Sequence, residues 1–184
     1  MAVEPVDSPT AGLYPRLVGP AWHELPEALR RMHGGAGAHG AGFFEVRWSS
    51  NPLARLVARL GGLPRPGERV RVELRVEADA RGETWRRSFD GRPLVTRQWA
   101  QDGLLVERVP GLELYFALEV RAGTLLFIQR RAVLRLGPLR LPLPSSLAPS
   151  VAARVSGEPA GMRVEVELHA PLFGRLCRYG GLLH

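Results

Sequence analysis

The sequence predicts an α+β fold, a curved and mainly antiparallel sheet of about nine to ten strands packed as a partial barrel on two N-terminal helices. Three observations predict it. Apolar residues recur at helical spacing before residue 66 and strictly alternate after it. Turn signals then follow at short intervals, as hairpins require. No helical segment after residue 66 is available to carry a crossover between parallel strands. A flat sandwich is the alternative arrangement of the same strands.

Residues 1–12 read as a disordered lead-in and 13–184 as one α+β domain. Trp22, Leu25, Leu29 and Met32 give a helix over roughly 20–33, opened by Pro20 and stopped by Gly34-Gly35. Phe43 to Trp48 is a short strand. Asn51-Pro52 then opens a second helix, an N-cap followed by proline at the first helical position. Its Leu53, Leu56, Val57 and Leu60 are expected to pack on the concave face of the sheet.

Beyond Pro66, Val70, Val72, Leu74 and Val76 alternate with charged residues. The same holds for Leu112 to Val120 and for Met162 to Leu168, the pattern of strands packed on one face and wet on the other. Arg81-Gly82, Asp90-Gly91, Asp102-Gly103, Pro110-Gly111 and Ala122-Gly123 supply the turns. The proline-rich stretch from Gly137 to Pro149 reads as a loop or lid.

All 25 basic side chains are arginines, so no lysine is available as a Schiff base, a general base or a phosphate-loop cation. Scarce Ile and Asn beside abundant Gly and Pro point to a codon bias behind part of that excess. The formal charge of +7 is concentrated. Val120 to Gly157 holds six arginines and no carboxylate, while charges elsewhere alternate in sign. One basic region in an otherwise balanced chain disfavours nucleic acid as a partner. The single Cys177 excludes an internal disulfide and multi-cysteine metal sites. Met1 to Thr10 lacks the features of a signal peptide, no apolar run is long enough to span a bilayer, and a cytoplasmic location is the expectation.

Gly35-Ala-Gly37-Ala-His-Gly40 matches G-x-G-x-x-G, but it follows a helix and precedes a strand, the reverse of what a pyrophosphate site needs. It reads as a linker. The five histidines show no metal-ligand spacing, the serine pairs lie outside any nucleophile elbow, and Cys177 reads as a small buried residue. No catalytic residue, metal or cofactor is assigned.

Arginines on otherwise apolar strand faces carry the site prediction. Arg87 stands between Trp85 and Phe89, Arg97 between Val95 and Trp99, and Arg130 interrupts the series from Leu126 to Leu136. Arg175, between Phe173 and Cys177, is a further instance. An interior guanidinium must be paired or must line a wet cavity. One reading is a pocket in which Trp85, Arg87, Arg97, Trp99 and Arg130 hold an apolar molecule by its acidic head. The other is an exposed face with guanidinium stacked on ring, or a bulge returning Arg130 to solvent.

Leu13-Tyr14-Pro15-Arg16-Leu17-Val18-Gly19, Asn51-Pro52-Leu53-Ala54-Arg55 running to Leu60-Gly61-Gly62-Leu63-Pro64, and Trp85-Arg86-Arg87-Ser88-Phe89-Asp90-Gly91 resemble an uncharacterised bacterial domain family of unknown function. Leu105-Val106-Glu107-Arg108 and Arg178-Tyr179-Gly180-Gly181 extend the resemblance over almost the whole chain. The resemblance implies a place beside saccharopine-dehydrogenase-like or short-chain-dehydrogenase-like NAD(P)-binding domains, and supplies no catalytic residues. Three functions follow. The first is non-catalytic binding of an acidic apolar small molecule, and the second is docking on an oxidoreductase partner through the basic Val120–Gly157 region. The third is peripheral membrane contact through that region's leucines.

Overall fold

A computed structural model describes residues 12–35 and 37–184; the lead-in expected over residues 1–12 lies, apart from Gly12, outside the described residues. The N-terminal segment is α1 (Leu13–Val18), a 3₁₀ turn (Gly19–Glu24) and α2 (Glu27–His33). Pro26 divides the single helix expected over 20–33, because proline cannot donate to the preceding turn. Then come β1 (His39–Trp48), α3 (Pro52–Leu60), β2 (Gly67–Asp79), β3 (Gly82–Phe89), β4 (Arg92–Gln101), β5 (Leu104–Val109) and β6 (Leu112–Arg121). The chain finishes with β7 (Thr124–Leu136), β8 (Leu139–Leu143), β9 (Ser150–Glu158), β10 (Gly161–Ala170) and β11 (Gly174–Leu183).

Every strand pairing is antiparallel. The sheet is a closed barrel rather than the expected partial one. Ten strands form the wall, joined where β1 meets β11 and where β7 meets both β6 and β9. Closure leaves no exposed ladder along the wall, which is the physical advantage over an open curved sheet. β8 is an eleventh, external strand. It takes over the edge of β7 at Ala132–Leu136, beyond the point where β9 has left it. The stretch expected as a loop or lid is therefore partly a strand, with Pro142 on its short edge.

The hairpin turns follow the sequence signals. Asp90-Gly91, Asp102-Gly103 and Ala122-Gly123 all have positive φ at both residues, the geometry whose twist matches paired strands. Within β11, Gly181 allows the barrel to close tightly, since a Cβ there would collide with the Phe43 carbonyl and the Phe44 ring.

The two ends of the barrel are unlike. Leu25, Leu29 and Met32 of the N-terminal segment are buried and close the end where β1 begins, and a Cβ on Gly40 would lie 2.8 Å from the Met32 methyl. α3 sits at the opposite end. Asn51 caps it, accepting from the backbone N–H of Leu53 at 2.9 Å and of Ala54 at 3.4 Å. The helix lies on Ala54 and Ala58, both fully buried, and Leu53, Leu56 and Leu60 face outward. This corrects the expectation that those leucines fill the concave face. Small alanines permit close approach of helix to strand, and only Val57 of the expected four turns toward the interior. Leu56→Ala should accordingly change stability by no more than about 0.5 kcal/mol. Ala58→Leu should cost roughly 1–3 kcal/mol through overpacking. Urea unfolding of both variants checks the assignment, and a larger loss for Leu56→Ala would refute it.

Candidate functional site

The bore of the barrel is not filled. A cavity of about 590 Å³ extends from the N-terminal helices toward the α3 end. Its walls are mainly aliphatic and aromatic, from Phe44, Val72, Leu74 and Phe89 on one side to Phe116, Val166 and Leu176 on the other. At the α3 end the lining includes Gly61, Leu147 and Leu172, all exposed, so the cavity reaches the surface there.

One polar cluster interrupts the apolar wall. Arg87 donates through Nη1 to Thr96 Oγ1 at 3.0 Å and to Glu107 Oε1 at 3.2 Å, and the Thr96 hydroxyl donates to the same carboxylate oxygen at 2.7 Å. Strand parity explains the grouping. The Asp90-Gly91 turn sets the β3–β4 register so that Trp85 lies opposite Thr96 and Glu83 opposite Gln98. Directly opposed residues share a face, so the inward face of β4 carries Leu94, Thr96 and Gln98. Glu107 reaches the cluster from β5, flanked by apolar Leu105 and Val109. Arg87 holds its charge inside because Glu107 neutralises it.

A second polar group lies toward the closed end. Tyr14 donates to Gln98 Oε1 at 2.8 Å, and burial, aided by the negative charges of Glu83 and Glu107, keeps its hydroxyl protonated well above the usual phenol range. His33 stands edge-on to Tyr14, ring centroids 4.6 Å apart, and its Nδ1–H donates to the Leu29 carbonyl at 3.0 Å. Burial pulls the His33 pKa down to about 4, so at neutral pH the imidazole is uncharged and Nε2 is an acceptor. Behind Trp85, the indole N–H donates to Glu83 Oε2 at 3.0 Å, while Glu83 Oε1 has no hydrogen-bond partner among the described residues. Burial raises the Glu83 pKa against the opposing Trp85 bond. The bore therefore offers neutral donors and acceptors and one internally balanced ion pair.

Of the five residues singled out from the sequence, the structure places Trp85 and Arg87 in the cavity wall. The other three are corrected. Arg97 and Trp99 share a face, but it is the outer one, because their β4 neighbours Thr96 and Gln98 point inward. Arg97 donates to Thr84 at 2.9 Å and to Asp79 at 2.6 Å. Trp99 packs with Val106, Tyr115 and Val133 in a small outer cluster, with the Arg108 guanidinium 5.0 Å from its ring centroid. Arg130 stands at a β6–β7 bulge, 53% exposed, and pairs with Glu119 at 3.6 Å. The bulge resets parity, so Ala132 faces the core although Leu126 and Ile128 do not belong to it. Of the pocket reading one guanidinium remains, paired with Glu107, and for Arg130 the alternative reading of a bulge that returns it to solvent describes the structure.

The basic stretch from Val120 to Gly157 is not a run of unpartnered cations. Each of its six arginines lies against a carboxylate, on Asp102, Glu113, Glu119 or Glu165. Glu113 alone receives Arg108, Arg135 and Arg140. Its burial works against ionisation, but hydrogen bonds from Arg135 and Arg108 and the charge of Arg140 hold the carboxyl below the usual range.

The family described as Domain of unknown function (DUF4166) matches residues 25–183. The chain belongs to that family. The match takes in every strand of the DUF4166 barrel together with α2 and α3, while Tyr14 and α1 precede it. Membership agrees with the resemblance carried by the segments around Asn51, Trp85 and Arg178. No curated protein and no solved structure matches the chain.

Sequence reasoning missed Tyr14, His33, Thr96, Gln98 and Glu107 as cavity residues. A usable signal existed for two of them. Trp85 inward plus a two-residue turn at Asp90-Gly91 forces Thr96 and Gln98 inward as well. Tyr14 and His33 are brought in by the helical segment and had no such signal.

Two predictions follow from these environments. The unfolded imidazole takes up a proton near pH 6.5, whereas His33 in the fold does so only near 4. Its contribution is therefore complete above pH 6.5 and is lost as pH falls toward 4, a loss of roughly 3 kcal/mol. His33→Gln should flatten that limb in urea melts recorded across the range; an unchanged slope would exclude His33. Burial pushes the Cys177 thiol up to about 12, so iodoacetamide should not label the folded protein at pH 8 but should label it in urea. Stoichiometric native labelling would contradict the placement.

Proposed function

We propose that the barrel binds a single apolar small molecule, its body in the bore and one polar head group against Arg87, Thr96 and Glu107. The observation that carries this reading is the 590 Å³ cavity, apolar-walled, with one convergent polar cluster. Such a volume lies within the range of small-molecule sites and exceeds the ~150 Å³ that admits benzene about fourfold, which suits on the order of twenty non-hydrogen atoms.

The head group is best matched by an uncharged donor-acceptor such as a hydroxyl, carbonyl or amide. An acidic head was the expectation from arginines on apolar strand faces. With Glu107 already beside Arg87, a carboxylate would meet like charge, whereas a hydroxyl can donate to Glu107 and accept from the remaining N–H groups of Arg87. Tyr14 and His33 at the closed end can hold a second polar atom.

Decan-1-ol and decanoate are suitable probes, followed by native mass spectrometry and by thermal melting. The alcohol is expected to bind one to one and to raise the melting temperature more than the acid does. Thr96→Val should weaken the alcohol by about 1 kcal/mol, the worth of one hydrogen bond. Val166→Trp, whose indole would project into the bore, should weaken binding. A folded Val166→Trp protein that binds the alcohol as well as the parent would sink the reading.

A further inference from the structure

We infer that the open end of the barrel docks on an anionic membrane surface, with the mouth of the cavity facing the lipid. The inference rests on the proposed binding of an apolar molecule in the bore and names the phase from which that molecule is exchanged.

The first observation is the face of α3. At 100° per residue, Val57 in the cavity wall is followed around the helix by Leu53, Leu60 and Leu56, and then by Arg59 and Arg55. The apolar stripe thus runs without interruption from the bore to the outside, where Leu53, Leu56 and Leu60 are 59%, 52% and 79% exposed. At the β10–β11 turn, which leads into the strand that α3 packs on, Leu172 is 95% exposed and has φ 68°. A left-handed backbone is disfavoured for any residue with a Cβ, and here it carries an apolar side chain into solvent. Leu147, also exposed, lines the same opening.

The second observation is charge. Between Glu45 and Glu68, the segment that carries α3 has Arg47, Arg55, Arg59 and Arg65 and no carboxylate. Among the described residues no carboxylate lies within salt-bridge distance of Arg55, Arg59 or Arg65. The β5–β6 and β7–β8 turns reach the same end, and beside them three guanidiniums, of Arg108, Arg135 and Arg140, share the single carboxylate of Glu113. The Leu172 turn itself is uncharged, and the arginines that follow it on β11, Arg175 and Arg178, lie 3.7 Å from Glu167 and Glu165. The closed end carries Glu24, Glu27, Asp79, Asp102 and Glu158, while the open end has Glu68 at the start of β2 and Asp90 in the β3–β4 turn, where it accepts from the Arg71 backbone N–H at 2.8 Å. Leucines flanked by arginines around a cavity mouth match the chemistry of an anionic lipid surface, which takes both. No helix among the described residues is long and apolar enough to cross a membrane, so α3 would lie in the interface.

The test is flotation of the full chain with phosphatidylcholine vesicles, with and without a quarter of phosphatidylglycerol. Binding is expected only to the anionic vesicles and should weaken with added salt. Arg55→Gln and Arg59→Gln should each weaken it about fivefold. Leu56→Glu/Leu60→Glu should reduce it at least tenfold, while decan-1-ol binding without vesicles stays unchanged, since neither leucine lines the bore. Alcohol binding without flotation overturns the docking inference and leaves the ligand reading standing; flotation without alcohol binding does the reverse. Flotation that survives the double substitution assigns the wrong face. A vesicle-free dimer dissociated by the same substitution shows that a second copy covers the leucines, and also overturns it.

Discussion

Closing ten antiparallel strands into one barrel is the constraint on which everything else in this protein depends. Eight strands enclose an interior just wide enough for side chains to fill, and each added strand widens it. Here the surplus is divided. The N-terminal helical segment fills one end with Leu25, Leu29, Met32 and Tyr14, and the rest stays open as the cavity. The helices are therefore not a layer beneath an open sheet. One set is a plug, and α3 is a lip.

Closure also decides what charge can do inside. An arginine in the bore is mostly withdrawn from solvent and out of reach of surface carboxylates, so Arg87 is held with Glu107 and Thr96 at hand. The result is a polar patch that is neutral as a unit and rich in directional hydrogen bonds. Burial pushes in the same direction elsewhere in the bore, keeping Tyr14 protonated, His33 uncharged and Glu83 harder to ionise. On the outer wall the opposite regime holds. Arg86 with Glu77 and Arg131 with Asp102 are exposed pairs that contribute little individually.

The asymmetry between the ends links the cavity to the surface around it. The β2–β3 and β4–β5 turns at the plugged end carry Asp79 and Asp102, whereas at the open end α3 presents Arg55 and Arg59 without a carboxylate partner among the described residues and three arginines share Glu113. Apolar side chains exposed singly need no explanation, but three exposed leucines on one helix whose Val57 lines an apolar bore do. Interior and rim share one chemical character, and only the rim adds positive charge.

The amino-acid sequence by itself determined the strands, their alternation and most of their turns, because period-two patterning and paired residues such as Asp90-Gly91 act locally. It also determined that Trp85 and Arg87 share a face. Closure, and with it the side of each strand that is inside, was decided by tertiary structure. The Val95–Trp99 stretch shows why: Trp99 looks like a core residue, yet the β3–β4 register places Thr96 and Gln98 opposite inward Trp85 and Glu83, and an outer cluster shelters the indole. A one-residue bulge did the same to Arg130, reversing the parity of half a strand. The helix leucines were misplaced for a related reason. Amphipathicity identifies an apolar stripe but not which part of it is buried, and the close fit of Ala54 and Ala58 on the barrel left Leu53, Leu56 and Leu60 at its mouth. Pairing of the Val120–Gly157 arginines depended on register: Glu119 and Glu113 meet them across the β6–β7–β8 hairpins and Glu165 across the β9–β10 hairpin, while Asp102 reaches Arg131 from the β4–β5 turn.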